Sequence, residues 1–269
     1  MRWFTTGAAP LRGVAPSRLA RLAWIALVLS TGVLAVVPAP ARAAEGLFLT
    51  WNACAFEPGA SPVRAFACDT NEDTLRLHVA FTLGQPVDNV IGLEVVVDIQ
   101  HESATLPDWW RLDPAGCRAG ALRADVQFGA VAGCADPWAG DGVAGFPSFT
   151  VTLPRGGANQ ARIKSGVGGL PSAPRTLAAD TPYHAVRLVI VANQTTATGA
   201  CAGCLPRACL VLNSIWIKRT PGAPGGDVFI STPGPLEANW AAWQGTGGAD
   251  CTLVPVRRQT WGAVKSLYR

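Results

Sequence analysis

Eight cysteines are the residues of this chain with the clearest chemistry, and all of them follow residue 43. They are Cys54, Cys68, Cys117, Cys134, Cys201, Cys204, Cys209 and Cys251. An even number of cysteines in a chain that enters an oxidising compartment indicates disulfides. Because loop closure favours neighbours in the chain, we predict Cys54–Cys68 and Cys117–Cys134. Several pairings of the last four stay open, and we prefer Cys201–Cys209 with Cys204–Cys251.

Two other chemistries compete for the spacing Cys201-Ala-Gly-Cys204. The spacing could form a redox pair or half of a zinc site. A redox pair normally opens a helix, whereas Pro206 and a predicted strand follow here. A zinc site would need four thiolates kept reduced. Structural disulfides are therefore the prediction.

Two polar clusters could bind a cation. The run from Asp69 to Asp73 resembles the first half of a calcium loop, but Thr74 and Ala80 stand where an EF-hand needs Gly and Glu. We interpret it as a polar turn, with a different kind of calcium site as the alternative. Asp98, His101 and Glu102 could ligate a metal, but they lie at the end of a predicted strand, and we expect a solvated strand end.

Cofactor and catalytic motifs are weak. A G-x-G-x-x-G pattern begins at Gly140, but Pro147 argues against the helix that a dinucleotide fingerprint requires. We predict no cofactor and no metal, and no residue is nominated as catalytic.

Tryptophan is the more suggestive residue type. Trp109 and Trp110 follow Pro107-Asp108, and Trp138 follows Asp136-Pro137, so all three lie in predicted loops. Exposed indole rings on a β-sandwich can stack on sugar rings, because they present flat apolar plates with a polar rim. Trp109, Trp110 and Trp138 are therefore the candidate ligand-binding residues. The alternative is that they pack over the edges of the core.

Alternating apolar residues define the elements that must position these side chains. Thr74 to Leu83 and Val90 to Gln100 each place apolar residues on one face. Ala185 to Ala192 is apolar on both faces except for Arg187, which favours a central strand. Six further strands are predicted: Leu47–Trp51, Ala121–Phe128, Ser148–Leu153, Ala161–Lys164, Cys209–Lys218 and Val228–Ser231. The prediction is an all-β, antiparallel sandwich of about nine to ten strands, immunoglobulin-like or jelly-roll-like, stapled by disulfides.

The N-terminus has the features of a Sec-type signal peptide. Residues 1–43 contain arginines and no acids, an apolar run from Leu22 to Val37, and small residues ending at Ala43. The run is short for a membrane anchor, which is the alternative. We expect export to the periplasm, cell surface or medium, with residues 44–269 forming one domain that has no membrane span. Two small sandwiches are the alternative.

The positive charge belongs to that leader. The chain carries 22 basic and 18 acidic residues, and five of the basic ones, but no acids, lie in residues 1–43. Residues 44–269 therefore carry 17 basic and 18 acidic side chains. Nucleic-acid binding needs a concentrated positive footprint, so we predict none.

Several segments are similar to a group of exported, cysteine-containing bacterial proteins, and this resemblance implies no activity. They are Leu106–Trp110, Gly116–Arg118, Cys204 with Ala208–Ile215, Trp240 with Trp243–Gly245, and Thr260–Arg269. The strand Val90–Gln100 also loosely resembles those of cohesin-like and other immunoglobulin-like sandwiches, which is a likeness of fold.

The sequence predicts an exported, non-enzymatic binding or surface-structural module. A carbohydrate-binding module using exposed Trp is the second hypothesis. The third is a hydrolase with an unrecognised site, which a deep cleft gathering His101 or His184 with carboxylates would favour. A glycan or an envelope protein is the expected partner. The sequence does not define the oligomeric state.

Overall fold

A computed structural model describes residues 44–128, 133–151, 153, 156–235, 238–245 and 251. The described residues form thirteen strands and one turn of 3-10 helix at Asp108–Trp110, so the predicted all-β fold is confirmed. The strands are β1 Gly46–Trp51, β2 Val63–Arg64, β3 Thr74–Thr82, β4 Val87–His101, β5 Leu122–Asp125, β6 Val143–Ala144, β7 Ser148–Thr150, β8 Gln160–Gly168, β9 Arg175–Leu177, β10 Tyr183–Val191, β11 Ala208–Arg219, β12 Val228–Ile230 and β13 Trp240–Trp243. The predicted signal peptide lies outside the described residues.

The strands form two sheets. Sheet A has four strands in the order β1-β3-β10-β5. Sheet B has nine, with the path β2-β13-β11-β4-β8-β6 and with β12, β7 and β9 pairing β11, β8 and β4. All pairs are antiparallel except β13 with β2. As predicted, β10 is central in its sheet, between β3 and β5.

The main core lies between the sheets and follows the alternation of the sequence. Leu77 and Phe81 of β3 belong to it, as do Val95 and Val97 of β4. The alternate residues of β4, Glu94 and Val96, are only half-buried. This is the expected pattern for a strand with one face in the core and one toward solvent.

The outer face of sheet A is covered as well. Phe48, Cys54, Ala80 and Cys134 form a second, smaller core there. Cys54 belongs to the connection after β1 and Cys134 to the connection after β5, so the two loops meet over the sheet. This cover explains why β1 is buried on both faces.

More strands are present than the nine to ten that the sequence predicts. The unpredicted ones are β2, β6, β9 and β13, each two to four residues long. Segments this short contain at most one or two alternations, so periodicity cannot reveal them. Their partners lie far away in the sequence, as in the pairing of Ala242 with Val63.

All eight cysteines form disulfides, as predicted, but the predicted pairing is wrong at every position. The bonds are Cys54–Cys134, Cys68–Cys204, Cys117–Cys201 and Cys209–Cys251. The linked cysteines are separated by 80, 136, 84 and 42 residues, respectively. Loop-closure cost grows only logarithmically with length, so the fold, which brings distant loops together, decides the partners.

No helix in the described part of the chain has the length and apolar character needed to cross a bilayer.

Candidate ligand-binding surface

The ligand-binding hypothesis for Trp109 and Trp110 requires exposed rings, and neither ring is exposed, so the core-packing alternative is the one that fits. Both are 0% exposed and lie in the 3-10 turn, which packs against Trp243 of β13. The Trp243 ring centroid is 4.6 Å from that of Trp109 and 5.4 Å from that of Trp110. The Trp109 Nε1–H donates a hydrogen bond to Thr195 Oγ1 at 3.0 Å. These rings pack at the edge of the core and offer no face to a sugar.

Trp138 is also 0% exposed, which fits the core-packing alternative and not the ligand-binding hypothesis. Its ring lies against two glycines, because a Cβ on Gly169 would come within 2.5 Å of Cε3 and one on Gly142 within 2.6 Å of Cδ1. Its carbonyl oxygen accepts a hydrogen bond from Arg175 at 2.9 Å. The ring is therefore enclosed by its own loop at Gly142 and by the segment after β8 at Gly169.

A buried arginine holds the Trp109 loop in place. Arg118 is 0% exposed, and its guanidinium lies 3.7 Å from the centroid of the Trp109 ring. It donates to the carbonyl oxygens of Trp109 at 2.9 Å and Asn193 at 3.0 Å, and also to that of Val191. Burial lowers the pKa of Arg118 to about 9, so the side chain stays protonated at neutral pH. The neighbouring Cys117–Cys201 disulfide ties the same loop to the segment before β11.

The two polar clusters are engaged in structural contacts. Asn71 Oδ1 accepts hydrogen bonds from the amides of Thr195 and Thr196 at 2.7 and 3.0 Å, which fixes the predicted turn. At the end of β4, Asp98 forms a two-fold ion pair with Arg162, at 2.6 and 2.8 Å.

The prediction of a solvated strand end is wrong at His101, which is 1% exposed. Its Nδ1 accepts the amide of Ser103 at 3.1 Å, and burial lowers its pKa. Glu102 instead pairs with Arg207 at 2.9 Å. Asp98, His101 and Glu102 therefore do not converge on a shared metal position.

One aromatic pair does face solvent, on the outer side of sheet B. Trp216 of β11 is 42% exposed and Phe229 of β12 is 56% exposed. They pair in register, and their rings meet edge to face with centroids 5.8 Å apart. Ile215 and Ile217 on either side of Trp216 are fully buried, so strand alternation directs the indole outward.

Charged groups border this pair. Lys218 Nζ lies 3.8 Å from the centroid of the Trp216 ring and 3.2 Å from Asp227 Oδ2. On the other side, Glu94 of β4 is the register partner of Trp216. Both signs of charge therefore lie next to an exposed indole.

The sheet carries glycines, which have no side chain, beside these residues. Gly166 of β8 is the register partner of Glu94, and Gly168 is that of Gly92. A Cβ on Gly166 would meet no heavy atom within 4 Å, so the surface is open there. We call Trp216, Phe229, Lys218, Glu94 and Gly166 the aromatic platform.

None of the platform residues is among the predicted site residues, although the sequence contains the signal for Trp216. The predicted strand from Cys209 to Lys218 places Trp216 between two isoleucines. Alternation alone directs that Trp away from the core. The predicted ligand-binding residues were instead Trp109, Trp110 and Trp138, which are close to loop-forming residues. A position in a loop says little about the exposure of a large aromatic side chain.

Comparisons with known proteins add little about function. No protein-family model matches the chain, and no curated protein matches it. Among solved structures, the chain is similar to a cohesin module from Clostridium perfringens ATCC13124 family 33 glycoside hydrolase. The TM-score is 0.33, with 8% identity, over 74% of this chain and 94% of that chain. The match is consistent with the loose cohesin-like resemblance of the sequence, but a TM-score this low carries no argument about function.

Proposed function

We propose that this protein is an exported, non-enzymatic binding module whose ligand contacts the aromatic platform. The observation that carries the proposal is the exposure of Trp216 and Phe229 together on two paired strands of one sheet face. Aromatic residues contribute disproportionately to recognition, because they bury a large area at a low cost in side-chain entropy. Holding them on paired strands further reduces the ordering cost of binding.

A glycan is the ligand class that the platform suits best. The exposed indole offers an apolar plate, Lys218 and Glu94 offer hydrogen-bonding groups beside it, and the glycines of β8 leave room for a ring. This is the combination of apolar contact and a few polar groups expected of small-ligand sites. The carbohydrate hypothesis therefore moves from Trp109, Trp110 and Trp138 to Trp216.

Two features support the proposal that the protein is exported. The leader-like N-terminus is a sequence signal, and four disulfides are compatible with a periplasmic or extracellular protein. The hydrolase hypothesis loses its main support, because both His101 and His184 are buried at 1% exposure. An envelope protein is the alternative partner for the same surface.

A glycan array probed with the oxidised protein and two variants tests this proposal. We expect binding by the wild type, with a change in Trp fluorescence, and a loss of roughly 30-fold or more in Trp216→Ala with Phe229→Ala. The matched control is Phe146→Ala, which removes a fully exposed aromatic ring from a groove whose lining, including Leu112 and Phe149, contains no platform residue. Circular dichroism checks that each variant keeps its fold.

Two results would count against the proposal. If the double variant binds like the wild type, the platform is not the binding surface. If Phe146→Ala loses binding instead, the groove near Phe149 is the binding surface. No glycan binding, together with platform-dependent capture of an envelope protein, would keep the binding module and exclude the sugar.

A further inference from the structure

A cluster of metal-ligating side chains lies on the opposite side of the molecule from the aromatic platform, over the outer face of sheet A. It consists of Cys54, Glu57, Cys134 and His184, and one ligand atom from each lies within 4.8 Å of all the others. Two loops and β10 supply these residues, and the Cys54–Cys134 disulfide links the loops. In the disulfide state the two sulfur atoms bind each other.

Polar atoms in this cluster are buried without hydrogen-bond partners. His184 is 1% exposed, and neither of its ring nitrogens has a partner. The Oε1 atom of Glu57 is also buried without one, although Oε2 accepts the amide of Cys54 at 3.1 Å. His184 Nε2 and Glu57 Oε1 are 3.5 Å apart, too far for a good hydrogen bond. A buried polar group without a partner is destabilising, so this arrangement needs an explanation.

The imidazole is held in a position suited to ligation. The Phe128 ring stacks on it with a centroid distance of 4.1 Å and an interplanar angle of 6°. A metal binds the free lone pair of an imidazole nitrogen, and neither ring nitrogen of His184 has a hydrogen-bond partner.

We infer that Cys54, Cys134, His184 and Glu57 form a zinc-class metal site when the Cys54–Cys134 bond is reduced. Two thiolates, one imidazole and one carboxylate are four ligands of the types that Zn²⁺ accepts in tetrahedral geometry. The ion would satisfy the orphan atoms of Glu57 and His184. Metal and disulfide are therefore alternative ways to close the same two loops.

Conversion of the disulfide into the metal site requires an external dithiol as reductant. The dithiol gives two electrons to the sulfur–sulfur bond and becomes a disulfide itself, while Cys54 and Cys134 become thiols. Each thiol then releases a proton to solvent as its sulfur binds the ion. Both cysteines are buried, so the exchange requires the two loops to open. Such burial argues against a catalytic disulfide, which is normally exposed.

Refolding the reduced chain in a glutathione redox buffer, with Zn²⁺ or with a chelator, tests the inference. With the chelator we expect all four disulfides. With zinc we expect one bound ion per chain, three disulfides, and Cys54 and Cys134 alkylated only after the metal is removed. Mass spectrometry of alkylated peptides and metal analysis read out both states. The inference is wrong if zinc leaves Cys54–Cys134 fully oxidised.

Variants of the two other ligands separate a built site from metal capture by thiols alone. Glu57→Gln and His184→Asn keep every cysteine, so the chelator arm shows whether they fold. Each should weaken zinc binding by roughly 10-fold or more. His101→Asn alters a buried histidine far from the cluster and should bind like the wild type. Equal zinc binding by all four proteins would overturn the inference.

Discussion

At the scale of single residues, Arg118 is a fully buried cation whose structural role no sequence motif indicates. Arg118 joins three backbone segments through carbonyl oxygens and stacks on Trp109. No acidic partner neutralises it among its hydrogen bonds. Carbonyl oxygens that converge on one guanidinium share five donors in a fixed geometry, and lysine cannot reproduce that geometry.

Replacing this side chain should destabilise the protein severely. Arg118→Met keeps the apolar stem but leaves the carbonyls of Trp109, Val191 and Asn193 without this donor, at an expected cost of about 3 kcal/mol or more. Urea unfolding followed by fluorescence measures the change. The control is Arg207→Ala, which removes an exposed ion pair with Glu102 and should cost less than about 1 kcal/mol. Similar midpoints for both variants would contradict the structural role of Arg118.

At the scale of elements, strands with alternating apolar residues were predicted correctly from the sequence, whereas contacts between loops were not. The strands at β3, β4, β10 and β11 are long, so their alternation is readable from the sequence alone. The exposure of Trp109 and Trp138 depends instead on Arg118, Gly169 and Trp243, which lie elsewhere in the chain. Nothing local to a tryptophan encodes such contacts. The candidate surface at Trp216 was within reach of the sequence because it depends on alternation.

The end of β8 offers a matched test of how closely a loop tryptophan packs. Gly169→Ala would place a methyl group 2.5 Å from Trp138 Cε3, so the ring or the chain must move. We expect a loss of about 1–3 kcal/mol, as for other overpacked sites. Gly166→Ala, three residues earlier in the same segment, meets nothing within 4 Å and should be neutral or slightly stabilising.

Thermal unfolding of the two glycine variants decides the matter. A lower melting temperature only for Gly169→Ala supports the packed ring of Trp138. If both variants unfold like the wild type, Trp138 does not lie tightly against the chain at Gly169, and its exclusion as a ligand-binding residue loses its basis.

At the scale of the whole molecule, the disulfides join segments that the sheets have already brought together. Cys68–Cys204 spans 136 residues and links the loop before β3 to the segment before β11. Cys117–Cys201 ends only three positions away from Cys204, so two covalent links converge beside Trp109 and Trp243. The two cysteines of the C-x-x-C motif, Cys201 and Cys204, therefore belong to two different disulfides and do not form a redox pair.

Peptide mapping without reduction tests this convergence directly. Arg64 separates Cys54 from Cys68, Arg118 separates Cys117 from Cys134, and Arg207 separates Cys204 from Cys209, so trypsin places them on different peptides. Cys201 and Cys204 have no basic residue between them and stay together. We therefore expect one peptide linked at once to the peptides of Cys117 and Cys68.

The same digest should contain two simpler linked products, Cys54 with Cys134 and Cys209 with Cys251. Pairing of neighbours would instead link Cys54 to Cys68 and Cys117 to Cys134. That outcome would release the 3-10 turn and the β3 loop from the segment before β11 and remove the covalent basis for burying Trp109. A three-peptide product supports the opposite conclusion, because it requires the loops before β3, β5 and β11 to meet at one end of the sandwich.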